Sequence, residues 1–209
     1  MNLILSEEEL KKLPRPIRKK PVVTAKIMHF GPGAFFRSFV ASLVDDVNQK
    51  DVEQWGIIAV SLHSEDIFNK LAGQDLVFNA LSMSNTKKRA QNISSISDFL
   101  VAKKEGQSVL DALSDAQIEI VSLTITEKGY HYNSDKKELD FNNQNIIDDL
   151  EYSKNPKTAV GFLVAALRDR YLSGKTPFTV LSCDNLPNNG AVVKKIITDF
   201  AQKIDTSFA

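Results

Sequence analysis

The chain has 209 residues, and its 26 Lys and Arg are matched by 26 Asp and Glu, so it carries no formal net charge. Hydrophobic residues at 43% and charged residues at 25% suit a domain that buries a core, and neutrality argues against a basic surface for nucleic acid or anionic lipid. A single Cys forbids an internal disulfide and points to a reducing cytoplasm, while no run approaches the roughly 20 apolar residues of a membrane helix.

Residues 1–24 read as a surface arm. Met1 to Leu5 is too short an apolar run for a secretory leader, and Pro14, Pro16 and Pro21 flank the Lys19-Lys20 pair. Ala25 to Phe30 is a short apolar run ending at a glycine, which predicts a buried strand. From Ala34 to Asn48 the spacing of Phe36, Val40, Leu43, Val44 and Val47 predicts one helix with those five residues on its inner face. Ile57 to Leu62, Ile118 to Ile125 and Phe178 to Cys183 repeat the buried-strand pattern. Leu76 to Asn92 reads as extended chain, a hairpin if broken at Asn85-Thr86-Lys87-Lys88. The polar stretch from Asn133 to Pro156 predicts a surface excursion with little regular structure. Val160, Leu163, Val164, Leu167 and Tyr171 trace a second helix, and Val192, Val193, Ile196, Ile197 and Phe200 a third, with Asn188 and Asn189 as candidate caps. Near-continuous apolar strands alternating with helices predict an α/β fold of Rossmann type, a mostly parallel twisted sheet with helices on both faces.

Open parallel sheets bind ligands beyond the carboxyl ends of their strands, so each strand end is a candidate site. The first ends in Gly31-Pro32-Gly33-Ala34-Phe35-Phe36-Arg37 and runs straight into a helix. Two glycines allow a tight turn and let a diphosphate reach bare backbone at a helix N-terminus. A plain strand-to-helix turn would use the same residues, and Phe36 stands where the dinucleotide fingerprint wants a small residue. After the second strand, Glu65 and Asp66 can accept from ribose hydroxyls and repel the extra phosphate of NADP; equally, Ser64 can cap a helix that starts there. The third strand leads into Thr124-Ile125-Thr126-Glu127-Lys128-Gly129-Tyr130, a polar cluster that fits either a site or a solvated loop. Asn185, in Ser182-Cys183-Asp184-Asn185, can donate an amide N–H to a developing alkoxide, or belong to an Asx-rich turn. Cys183 reads as a small buried hydrophobe. His29, His63 and His131 lack ligand spacing, so no metal site is expected. Tyr132 and Lys136 have Tyr-x-x-x-Lys spacing, but the intervening Asn133-Ser134-Asp135 favours a turn over the helix such a pair needs.

Together these motifs resemble the mannitol dehydrogenase family of long-chain polyol and sugar-acid oxidoreductases, from about Ile27 to about Asp205. The glycine turn, Thr124 to Tyr130, and Ser182 to Gly190 stand in that family's order. Two departures are Phe36, where the family usually has His, and Asn188 in place of a His before Asn-Gly. The resemblance implies an NAD-binding domain over residues 25–209. Gly31, Gly33, Ala34, Phe35, Phe36, Arg37 and Thr126 would meet the cofactor, with Glu65 and Asp66 at its ribose end. It implies metal-independent hydride transfer with a mannitol- or fructuronate-type substrate, Asn185 in the oxyanion site and Glu127 on the proton path. The family's catalytic Lys belongs to a second, helical domain, so these 209 residues are expected to be the cofactor half of a larger enzyme, inactive alone. A non-catalytic dinucleotide-binding sensor or assembly module is the alternative, since it shares the glycine turn and the acids; a methyltransferase with a related loop is a third reading.

Overall fold

The computed structural model describes residues 8, 11–13, 15–50, 53–84, 88–152 and 154–207, without the side chains of Lys88 and Glu127. In chain order the elements are β1 (Ala25–Phe30), α1 (Ala34–Ser38), α2 (Val40–Asn48), β2 (Gly56–Ser61) and α3 (Asp66–Ala72). The hairpin strands β3 (Phe78–Met83) and β4 (Lys88–Ile93) follow, then β5 (Ile96–Val101), α4 (Ala102–Ser114) and β6 (Ile120–Leu123). A 3-10 turn at Glu127–Tyr130 leads to β7 (Tyr132–Asn133), β8 (Glu138–Leu139), α5 (Gln144–Glu151), α6 (Ala159–Leu172), β9 (Thr179–Ser182) and α7 (Asn189–Ile204).

Five of these strands form one parallel sheet in the order β5-β2-β1-β6-β9. Direction reverses on either side of β1, the topological switch point of a doubly wound sheet. Register sets the site. Phe30 pairs with Val60 and with Leu123, Val60 with Leu100, and Leu123 with Ser182. These residues form one line across the carboxyl edge, so the loops after β1, β2, β5, β6 and β9 leave the sheet side by side.

Alternation along β1 divides the core between the two faces. Met28 and Phe30 pack with Val109, Phe162, Ile196 and Phe200 from α4, α6 and α7. Ile27 faces the other way, into a cluster with Phe36, Ala41, Leu71, Phe78 and Ile93 from α1 to α3 and the hairpin. Arg170 joins distant loops: the residue is 2% exposed, and its guanidinium donates to the carbonyls of Leu113, Asp115, Ile118 and Thr176 and lies over the Phe178 ring. In the arm, Arg18 pairs with Asp75 and donates to Ser94 O and Ile96 O, which holds the described arm residues to the domain.

Several sequence expectations need correction. The helix expected from Ala34 to Asn48 breaks at Phe39, whose φ of -118° and ψ of -72° lie off the helical path. The break rotates α2, so its buried residues are Ala41, Asp45 and Asn48, while Leu43 and Val47 face solvent. On α6, Tyr171 is likewise exposed. The fourth strand, expected to be buried, is the sheet's edge, and Leu181 is exposed there. The polar excursion contains β7, β8 and α5, organised by Asp149, which accepts from the N–H groups of Lys157 and Thr158 and from Thr158 Oγ1. The expected hairpin is present as β3 and β4, and its tip at 85–87 lies outside the described residues.

Candidate functional site

At the centre of the carboxyl edge is the Gly31–Gly33 turn. Gly31 has φ +89°, and a Cβ there would stand 2.2 Å from Thr124 O, so the turn itself demands glycine. Its N–H extends the strand ladder to Val60 O, and the Gly33 N–H closes back on Gly31 O at 2.6 Å. The amides of these two residues, which the family resemblance assigns to the cofactor, are therefore engaged within the protein. The first amides with no acceptor among the described residues belong to Ala34 and Phe35, in the opening turn of α1. Gly33 differs from Gly31: its φ is an ordinary -70°, and the nearest atom to a Cβ there would be 3.8 Å away. The fold does not require glycine at 33. The bare backbone leaves open space for something outside the protein.

Phe36 does not line this space. It is fully buried, stacked on His29 with ring centroids 3.7 Å apart and planes 11° from parallel. A flat ring on a flat ring lets α1 approach the strand despite the missing small residue, and it removes Phe36 from the surface set. Arg37 is half-buried, donates to Pro32 O at 2.7 Å and so braces the turn from below; burial draws its pKa down.

On one side of the turn, beyond β2, Ser64 Oγ accepts from the Asp66 N–H at 3.1 Å and α3 begins with Asp66 exposed. Glu65 pairs with Lys104 of α4 at 2.7 Å, joining the ends of β2 and β5. A cleft of about 440 Å³ opens at the same strand ends, lined by Leu62, His63, Ala102, Lys103, Lys157 and Phe162 among others. No motif in the sequence marks this wall, because half of it comes from α4 and from the segment before α6.

On the other side, a pocket of about 260 Å³ brings together Phe35, Thr124, Ile125, Thr126, Cys183, Asp184 and Asn185. Three candidates from separate strand ends (Phe35, Thr126 and Asn185) thus share one hollow. Asn185 is exposed, and its amide has no hydrogen-bond partner among the described residues. Beneath it the loop is tightly held. The buried Tyr130 hydroxyl donates to Asp184 and lies 3.0 Å from Ser182 Oγ, while the Asn189 amide donates to Ser182 O and Asp184 O. Burial, and then the neighbouring carboxylate, push the Tyr130 pKa up; burial also raises that of Asp184 against the pull of its hydrogen bonds. Asn188 occupies the cap position of α7 at φ +54° but makes no side-chain cap bond, and Cys183 is half-buried against the hollow rather than inside the core. The backbone of Glu127 opens the 3-10 turn here; its side chain lies outside the described residues. No group of three His, Cys, Asp or Glu suited to a metal occurs among the described residues.

The family model for the mannitol dehydrogenase Rossmann domain matches residues 25–209. The chain belongs to the mannitol dehydrogenase family. It is 37% identical over 205 residues to YeiQ of Escherichia coli K12, described as an uncharacterized oxidoreductase, covering 97% of this chain and 42% of that protein. A crystal structure of D-sorbitol dehydrogenase in substrate-free form superposes with a TM-score of 0.86 at 32% identity, over 98% of this chain and 44% of that one. Pseudomonas fluorescens mannitol 2-dehydrogenase, in a ternary complex with NAD and D-mannitol, gives a TM-score of 0.84 at 36% identity, over 98% and 43% respectively. The chain therefore spans about two fifths of the length of these relatives. Within the mannitol dehydrogenase family it carries the Rossmann domain, with the sheet, glycine turn and strand-end loops described above.

Proposed function

We propose that this chain is the NAD-binding half of a dehydrogenase that moves hydride between the nicotinamide and a polyol or sugar-acid carbon, of the mannitol/fructose or mannonate/fructuronate type. The observation that carries the proposal is the uncovered backbone at Gly33, flanked by acids on one side and the Asn185 hollow on the other. The division proposed is an arm at residues 1–24 and the dinucleotide-binding domain at 25–209; residues 1–7, 9, 10 and 14 of the arm lie outside the described residues. The setting proposed is a reducing cytoplasm, and among the described residues no helix is long and apolar enough to cross a membrane.

The residues fit the cofactor. The Ala34 and Phe35 amides at the start of α1 meet the pyrophosphate, in space that any side chain at 33 would fill. Asp66 accepts from the adenosine ribose, with Glu65 held beside it by Lys104, and the cleft at Leu62 and His63 takes the base. Bound there, NAD supplies the hydride acceptor for alcohol oxidation. Asn185 donates its amide N–H to the substrate oxygen, where negative charge develops as the O–H proton leaves. Thr126 and Phe35 wall the nicotinamide side of the hollow. Glu127 keeps its place on the proton path through the family resemblance alone. The base that receives the proton is assigned to the family's second domain, outside residues 1–209.

Titration of the chain with NADH, followed by cofactor fluorescence, tests this. Saturable binding without turnover of mannitol, fructose or fructuronate is expected. Absence of saturation at millimolar NADH would refute the dinucleotide reading, and preference for S-adenosylmethionine would replace it.

A further inference from the structure

Beneath the glycine turn lies a buried polar chain. His29 is fully buried on β1, with Nδ1 2.8 Å from Ser122 Oγ and Nε2 2.8 Å from Thr124 Oγ1. Thr124 Oγ1 donates its single proton to Gly31 O at 2.6 Å. Its role toward His29 is then that of acceptor, so the imidazole proton sits on Nε2 and Nδ1 accepts from the Ser122 hydroxyl. The direction of every bond in Ser122–His29–Thr124–Gly31 follows from that one donation. Burial keeps the ring neutral, its pKa pushed down to about 3, and the stacked Phe36 ring stops it rotating.

We propose that His29 is a positioning residue of the dinucleotide site, acting through Thr124 to hold the Gly31 carbonyl inward and so aim the opening turn of α1 at the pyrophosphate. This rests on the dinucleotide reading above. Gly31 O is the pivot: it accepts from Thr124 and from the Gly33 N–H, with His29 Nε2 a further 3.3 Å away. If that carbonyl turned outward it would point an oxygen at the diphosphate and release the Gly33 amide that shapes the turn. A buried imidazole with both nitrogens engaged prevents this, and it touches neither cofactor nor substrate. Its action is therefore confined to the pyrophosphate and does not extend to the adenosine cleft beyond β2.

The test compares ADP with adenosine on the same chain by NMR titration. H29F keeps a ring against Phe36 but removes both hydrogen bonds; H29Q returns an amide donor at the reach of Nε2. In H29F, ADP affinity is expected to fall about tenfold while adenosine affinity changes less than twofold, with recovery in H29Q. T124V cuts the same link from its other end and is expected to repeat the selective loss, which serves should H29F fail to fold. Nitrogen-15 spectra of the unaltered chain are expected to show a single Nε2–H tautomer throughout pH 5–8. Equal losses for ADP and adenosine, an unchanged ADP-to-adenosine ratio, or an Nδ1–H tautomer each overturn the positioning role while leaving the dinucleotide reading intact. If the unaltered chain binds neither ADP nor NADH, that reading itself fails.

Discussion

The two ends of the carboxyl edge are built differently. Beyond β2 and β5 the polar groups lie at the surface: Asp66 is exposed, and Glu65 meets Lys104 in solvent. Beyond β6 and β9 an exposed amide, Asn185, rides on buried Tyr130 and the half-buried Asp184 and Asn189 hydrogen-bonded around it. Between them the glycine turn rests on buried His29. The difference teaches which changes stay local. A surface charge can be altered with little effect on folding, whereas a buried, hydrogen-bonded group ties function to stability because losing one partner strands the other.

Acid should break the buried centre first, with the largest effect. A histidine whose folded pKa is depressed stabilises the fold above its unfolded value of 6.5 and loses that contribution as pH falls toward about 3. The slope from this one group approaches about 1.4 kcal/mol per pH unit. Asp149 and Asp184 act oppositely, because their raised pKa values favour protonation in the folded state and offset part of the loss at lower pH. His131, half-buried and with its pKa also lowered by burial, acts with the same sign as His29, so the difference in denaturant midpoints between the unaltered chain and H29F, from pH 7 down to 5, isolates His29. H29F should lessen the slope over that range, leaving the share of His131, and an unaltered slope would show that the loss arises elsewhere.

Next in size is Asn185→Ala, measured in a protein that carries the family's second domain as well. Turnover is expected to fall by on the order of 100-fold or more, with little change in melting temperature, because the amide is exposed and removes no buried bond. A shift in stability without loss of turnover would return Asn185 to the loop.

The two glycines sharpen the contrast within a single turn. Gly31→Ala places a methyl against Thr124 O at a positive φ, and a loss of about 2–4 kcal/mol in unfolding free energy is expected. Gly33→Ala meets nothing closer than 3.8 Å, so its stability should hold within about 0.5 kcal/mol while NADH affinity drops roughly tenfold. Were Gly33→Ala to bind NADH normally, the open space there would have no role in cofactor binding.

Much of the fold was legible because its central strands are continuous apolar runs, and the strand ends could be located without knowing the helices. β5 escaped notice because Ser97 and Asp98 interrupt its apolar residues, and α4 because Lys103 to Gln107 precede Val109, Leu110 and Leu113, the residues that bury it. Leu43 and Val47 were misplaced by a backbone break at Phe39 that no side-chain pattern announces. In the site, Asn185 stands out by its amide at a strand end, whereas Phe35 and Thr126 are picked out only by the family resemblance. His29 and Tyr130 could not be read from the chain, because their partners Thr124 and Asp184 lie 95 and 54 residues away. A hydrogen bond between strands leaves no spacing in the chain.

The smallest effect belongs to the open end. Asp66 is exposed, so the repulsion of a 2′-phosphate proposed for it would be a screened surface interaction. Asp66→Ala should narrow the preference for NADH over NADPH by roughly two- to fivefold at low ionic strength, and by less near 0.15 M salt, where the Debye length is about 8 Å. Lys104→Ala should move the ratio the other way, because Glu65 then faces the phosphate without its cation. The pair of variants separates charge from shape. A ratio that responds to Asp66→Ala but not to salt means that the carboxylate acts through its hydrogen bonds to the ribose. A ratio that ignores both variants means that cofactor choice is made in the Leu62–His63 cleft, half of whose lining comes from α4 and the segment before α6.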